Sequence, residues 1–230
     1  MSPGISRIAL LAVTALLCAQ PAKAGGLHDL IDDAIGPSVH GSGVIKTEMR
    51  QLDSFEVIKS KGSIDLDVKI GPKFAVIVEA DDNLFPVIRT EVAGKALVVD
   101  TKGNWSSKHG PVVHITLPKL IALGIQGSGD TKLSGYSGDK LGVKIEGSGD
   151  VVGDGQVRAL HLVIEGSGDA NLAKLNADEV QVRVDGSGDA AVTAEKTLDV
   201  TIHGSGDVTW QGDAPQANSQ VYGSGEVRRK

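Results

Sequence analysis

In the second half of the chain, apolar residues recur two apart, and the whole pattern returns after an interval of about nineteen. Three mostly aliphatic positions, separated by single polar or small ones, precede each Gly-Ser-Gly triplet. They are Ile121, Leu123 and Ile125; Leu141, Val143 and Ile145; Leu160, Leu162 and Ile164; Val180, Val182 and Val184; Leu198, Val200 and Ile202; and Ala217, Ser219 and Val221. Such alternation predicts strands with one buried face. A shorter alternation resumes after each triplet, at Thr131, Val151, Ala170, Ala190, Val208 and Val227, then two residues on at Leu133, Gly153, Leu172, Val192 and Trp210. Each repeat thus holds two short strands joined at the triplet. The polar stretches leading back, such as 134–140 and 193–197, vary in length and are expected to be loops. No sustained 3.6-residue period occurs in this half, which excludes the crossover helices of a doubly wound fold.

The triplets continue as Gly-Ser-Gly-Asp at Gly127, Gly147, Gly166, Gly186 and Gly204 and as Gly-Ser-Gly-Glu at Gly223, with offsets of 20, 19, 20, 18 and 19 residues. A single repeat cannot bury its own apolar face, whereas stacked repeats bury a continuous column of Val, Ile and Leu. The pattern therefore predicts an all-β fold, a parallel β-solenoid or β-helix with one repeat per coil, right-handed by the general crossover rule. Residues 119–227 form the regular part. Residues 41–118 carry strand-like stretches at 55–58, 64–70, 74–78, 87–92, 96–99 and 112–117 without the strict repeat, and read as a β section continuous with it, giving one domain over 41–230. The open ends of such a stack need covering. Trp210, Tyr222 and the charged tail from Glu226 to Lys230 are placed to blunt one of them.

Residues 1–24 read as a signal peptide, with Arg7, an apolar run over 8–18 and a small-x-small cleavage pattern at Ala22-Lys23-Ala24. The expected localisation is the periplasm, the cell surface or the medium. Residues 25–40 read as a linker or a short capping segment. No stretch after the leader approaches the roughly 20 apolar residues a membrane span requires. Cys18 is the only cysteine, so the chain without its leader has no disulfide and no thiol chemistry. The leader's only charged side chains are Arg7 and Lys23, and its loss takes the net charge from −6 to −8. That balance argues against nucleic acid and anionic lipid as partners.

The stacked corners create two arrays that carry any chemistry. In the column Asp130, Asp150, Asp169, Asp189, Asp207 and Glu226, like charges one rung apart repel, and two arrangements relieve this: turn amides accepted by each carboxylate, or bound Ca²⁺. Gln126, Glu146, Glu165, Asp185, His203 and Tyr222 form an outward column beside the corner. A pair such as Glu146 and Glu165 approaches the carboxylate spacing of a retaining glycosidase, although any acidic ladder produces that spacing and a solvated or ligand-binding face needs nothing more. Trp105 lies in a polar loop, as an exposed recognition aromatic or as one packed on the flank. The six histidines show no ligand pairing at short spacing, and no other cofactor is implied.

The segment Arg50-Gln51-Leu52-Asp53-Ser54-Phe55-Glu56-Val57-Ile58, the stretch 76–100 with Asp81-Asp82-Asn83-Leu84, Ile115-Thr116-Leu117-Pro118-Lys119-Leu120 and the Gly-Ser-Gly repeats together resemble the head GIN domain family of bacterial adhesins. The resemblance spans residues 41–227. It implies a signal peptide, a β-helix with Gly-Ser-Gly turns between its sheets, no catalytic residues and a role in adhesion. Fold and resemblance together make the expected function a non-enzymatic exported scaffold for a surface glycan or protein. The alternatives are a polysaccharide-active β-helix enzyme and a structural envelope protein.

Overall fold

The computed structural model describes residues 38–230. The signal peptide, His28 and most of the 25–40 segment lie outside them. In chain order the strands are β1 (Ser38–His40), β2 (Ile45–Met49), β3 (Val57–Gly62), β4 (Asp65–Ile70), β5 (Ala75–Asp81), β6 (Ile88–Ala93), β7 (Ala96–Thr101), β8 (Asn104–Ser106) and β9 (Val112–Leu117). The repeats follow as β10 (Ala122–Gly127), β11 (Thr131–Gly147), β12 (Val151–Gly166), β13 (Ala170–Gly186), β14 (Ala190–Gly204), β15 (Val208–Gln211), β16 (Gln216–Gly223) and β17 (Val227–Arg229). Every element among the described residues is a strand, so no helix is long and apolar enough to cross a membrane.

The repeats stack in parallel and in the register their alignment predicts. Leu123, Val143, Leu162, Val182 and Val200 lie rung upon rung, as do Ile125, Ile145, Ile164, Val184 and Ile202, and all ten are buried. The fold is a β-solenoid. Four members of the columns differ. Ile121 is in register with Leu141 yet exposed, because Leu120 turns inward where the chain enters the first regular coil. Ala217, Ser219 and Val221 continue the columns on β16 but are exposed, because no further rung covers that strand.

The segments leading back are not loops. β11 to β14 run unbroken from one triplet to the next, and their middle portions pair as well: Tyr136 with Gly155 and Gly155 with Leu175, Gly138 with Val157 and Val157 with Ala177. Tyr136, Val157, Leu175, Ala177 and Ala194 are buried and form a third side of each coil. Differences in repeat length are absorbed as register shifts within these ladders, such as those between Leu172 and Asn176 and between Ala177 and Glu179. The Tyr136 hydroxyl lies 3.0 Å from the Leu120 carbonyl and 2.9 Å from that of Lys140, and burial raises its pKa.

In the irregular section the order in space departs from the order in sequence. β3 pairs with β7 on one side and β10 on the other, and β4 pairs with β9 and β11. The coil made first by the chain therefore lies between the β7–β9 rung, made later, and the regular repeats. Beyond it the pairing turns antiparallel: β5 against β9, β2 against β5, and β6 against β7 through a turn at Gly94 (φ +63°).

Candidate functional site

Each corner is a backbone stack. The Gly147 φ of +132° is one that L side chains rarely adopt, and a Cβ there would fall onto the Gly127 carbonyl. The second glycine of the triplet, Gly149, has no such φ but equally little room, since a Cβ there would clash with the Gly129 carbonyl oxygen. What fills the space instead is hydrogen bonding: the amides of Ser148 and Gly149 both donate to the Gly127 carbonyl, at 2.8 and 3.0 Å. The serines project outward, and at the first step the Ser128 hydroxyl bonds that of Ser63, 3.2 Å away.

The acidic column is relieved by amides. Oδ1 of Asp130, Asp150, Asp169 and Asp189 each accepts the backbone N–H of the next acid along the stack, and Asp207 accepts that of Glu226, at distances of 2.7–3.0 Å. The ladder begins one coil earlier than the repeat indicates, since Asp65 accepts the Asp130 amide at 2.9 Å. Gly62-Ser63-Ile64-Asp65 keeps the Gly-Ser-x-Asp outline, which is the signal for it in the sequence. Glu226 ends the ladder, its carboxylate bound by Arg228 at 2.8 Å. Among the described residues no three His, Asp or Glu side chains converge as a metal site would require.

Beside the corner, Lys61, Gln126, Glu146, Glu165, Asp185, His203 and Tyr222 stack in register on the outer face. Sequence alignment of the triplets misses Lys61. Lys144 bridges Glu146 and, at 3.1 Å, Glu165. Arg183 binds Asp185 at 2.7 Å, which His203 also meets at 3.0 Å. The His203 and Tyr222 rings stack with centroids 4.9 Å apart. Hydrogen bonds from Lys144 and then Gln126 hold the Glu146 carboxyl below its usual pKa, and the two glutamates raise that of Lys144. A glycosidase acid needs a raised pKa. Glu146 is shifted the wrong way for that role.

The same face carries a trough. Where other rungs place long side chains outward, these place Ala122, Gly124, Gly142 and Ala159. One depression of about 480 Å³ is lined by Lys59, Lys61, Gly124, Glu146 and Val163, a second of about 630 Å³ by Ile121, Lys140, Ala159, Glu179 and Asp199, and both include Ala122, Gly142 and His161. Gly124 and Gly142 are unlike the corner glycines: neither has a left-handed φ, and a Cβ on either would meet nothing closer than 3.8 Å.

Trp105 is the flank aromatic rather than an exposed one. It pairs with Val39 in the β1–β8 ladder and packs half-buried against the core. The Asp81-Asp82-Asn83 turn is structural. Asp81, buried, accepts the Gly43 amide at 2.6 Å and the Ser107 hydroxyl, while Asp82 binds Ser42 and Lys46 and has a lowered pKa, chiefly through the Ser42 hydroxyl.

Residues 54–214 match the family described as "Putative auto-transporter adhesin, head GIN domain". No curated protein matches the chain. Among solved structures, a "putative adhesin" from Bacteroides fragilis is 19% identical with a TM-score of 0.71, covering 84% of this chain and 100% of that one. A "putative adhesin" from Parabacteroides merdae is 19% identical with a TM-score of 0.53, covering 85% and 100%. A "Putative lipid binding protein" from Parabacteroides distasonis is 21% identical with a TM-score of 0.51, covering 84% and 100%. At these identities the likeness is one of fold.

Proposed function

Since the chain belongs to the head GIN domain family of auto-transporter adhesin type, we propose that it is a non-enzymatic, exported binding scaffold that presents the outer face of β10 to β14 to a cell-surface glycan or protein. The observation that carries this reading is the pair Gly124 and Gly142. A glycine inside a strand costs about 0.5–1 kcal/mol relative to alanine and often marks a place where a ligand or another backbone comes close. Neither turn geometry nor a crowded neighbour calls for glycine at these two positions. Their absent side chains open the trough between the polar columns, with Lys59, Lys61 and Lys140 exposed on its rim. A flat, in-register surface with a backbone floor suits an extended partner, and the rigid ladders beneath it keep the recognition groups fixed before binding.

The test sets stability against binding. Gly142→Thr and Gly124→Thr add β-branched side chains to open strand positions, so the unfolding midpoint is expected to hold or rise. Retention of the purified protein on whole cells or glycan arrays is expected to fall at least tenfold. Wild-type protein that binds no cell, glycan or envelope protein, or binding that survives both substitutions, refutes the reading.

A further inference from the structure

Four strands bound the described stack, each paired on one side only: β2 and β6 at one end, β15's partner β17 and β14's partner β16 at the other. Exposed strand edges are templates for pairing, and proteins guard them with charge, brevity or irregularity. β2 carries Lys46 and Glu48, β6 carries Arg89 and Glu91, and the three-residue β17 carries Arg228 and Arg229. Over β17 the end is closed further: Arg229 lies 4.9 Å from the centre of the Trp210 ring, and Arg228 spans Glu226 and Asp207.

β16 has none of these guards. Its eight residues, Gln-Ala-Asn-Ser-Gln-Val-Tyr-Gly, include no charge and no proline, pair without a bulge to β14, and are exposed at every position. The aliphatic columns of the core run out onto it, leaving Val221 40% exposed, and Tyr222 at the end of the outward column is 58% exposed. We propose that β16 is a self-association edge, pairing antiparallel with β16 of a second copy about a two-fold axis at Ser219.

The other edges of this chain are poor occupants. β2, β6 and β17 would each bring charged side chains over an uncharged edge, and the Arg229–Trp210 contact closes the neighbouring rung to a coil stacked head to tail. An uncharged strand is compatible with itself, because a two-fold axis sets no like charges against each other. Centred on Ser219, the pairing places Ala217 opposite Val221 of the second copy and Asn218 opposite its Gln220, so apolar positions meet on the inner face and polar ones on the outer.

The test is sedimentation of the purified chain, with folding of each variant checked by circular dichroism. Wild type is expected to be a dimer in the micromolar range. Asn218→Lys with Gln220→Lys sets like charges opposite one another twice across the axis and is expected to weaken the dimer roughly 100-fold. Asn218→Lys with Gln220→Glu sets opposite charges at the same two places and is expected to dimerise at least as well as wild type. Monomeric wild type, a double-lysine variant that dimerises unchanged, or a charge-reversed variant that stays monomeric overturns the proposal.

Discussion

The coils of residues 119–227 hold their register by backbone stacking repeated at every rung, whereas residues 38–118, apart from the 57–70 coil that shares this stacking, add side-chain contacts that each occur once. In the regular coils the corner carbonyls, the acid-to-amide ladder and the aliphatic columns are the same device at successive heights. In the other region Asp81 fastens Gly43 and Ser107, Arg89 grips Asp100, and antiparallel strands replace parallel ones. The difference teaches how a stack is begun. Repetition propagates a geometry that already exists, but it cannot terminate one, so the end of the stack is built from specific, unrepeated contacts.

The largest expected effect breaks that comparison at glycine. Gly147→Ala combines a disallowed φ with collision against the Gly127 carbonyl, and is expected to cost roughly 3–5 kcal/mol in urea unfolding. Gly94→Ala has a positive φ but open space and is expected to cost only about 1–2 kcal/mol. Equal losses would show that corner stacking does not set the register.

Next comes the buried fastening. Asp81→Ala strips the Gly43 amide of its acceptor at a buried site and is expected to cost about 1–3 kcal/mol, with faster hydrogen exchange at Gly43. Asp169→Ala removes the acceptor of the Asp189 amide on an exposed edge, so a loss of about 0.5–1.5 kcal/mol is expected. Asp169→Asn keeps an oxygen and removes one charge from the column. It should match or exceed wild type at low ionic strength, with any advantage shrinking in about 1 M salt. A deficit for the asparagine variant that salt does not change would mean that repulsion along the column is already neutralised.

The smallest effect is a pH dependence confined to the irregular region. The Arg89 guanidinium holds the Asp100 carboxyl below the usual carboxylate range, so the unfolded chain takes up that proton more readily than the folded one. The pair therefore contributes stability above the ordinary Asp pKa and loses it as pH falls through the depressed value. Wild type and Asp100→Asn should differ in unfolding midpoint at pH 7 and converge toward pH 2. A gap that persists in acid would assign the effect to packing.

Much of the site was legible because stacked residues are those that align. The six-member outward column and the acidic ladder from Asp130 onward follow directly from counting between triplets. Asp65, Ser63 and Lys61 escaped because Ile64 replaces the second glycine and 65 residues separate Asp65 from Asp130, too far for an alignment of neighbours. The third side of each coil escaped for another reason. Tyr136, Val157 and Leu175 sit among polar residues at unequal offsets, so their pairing depends on register shifts that periodicity does not encode.

By itself, then, the sequence determined the strand period, the glycine corners and the pairing partners of the residues flanking each triplet after 119, because side-chain alternation and glycine stereochemistry are local and the repeat makes them additive. Only the tertiary structure decided that the 57–70 coil lies between its successors, that Gly124 and Gly142 open a trough, and that β16 is left bare. A given alternation packs equally well at any height in the stack, and which face stays uncovered depends on where every other rung has gone.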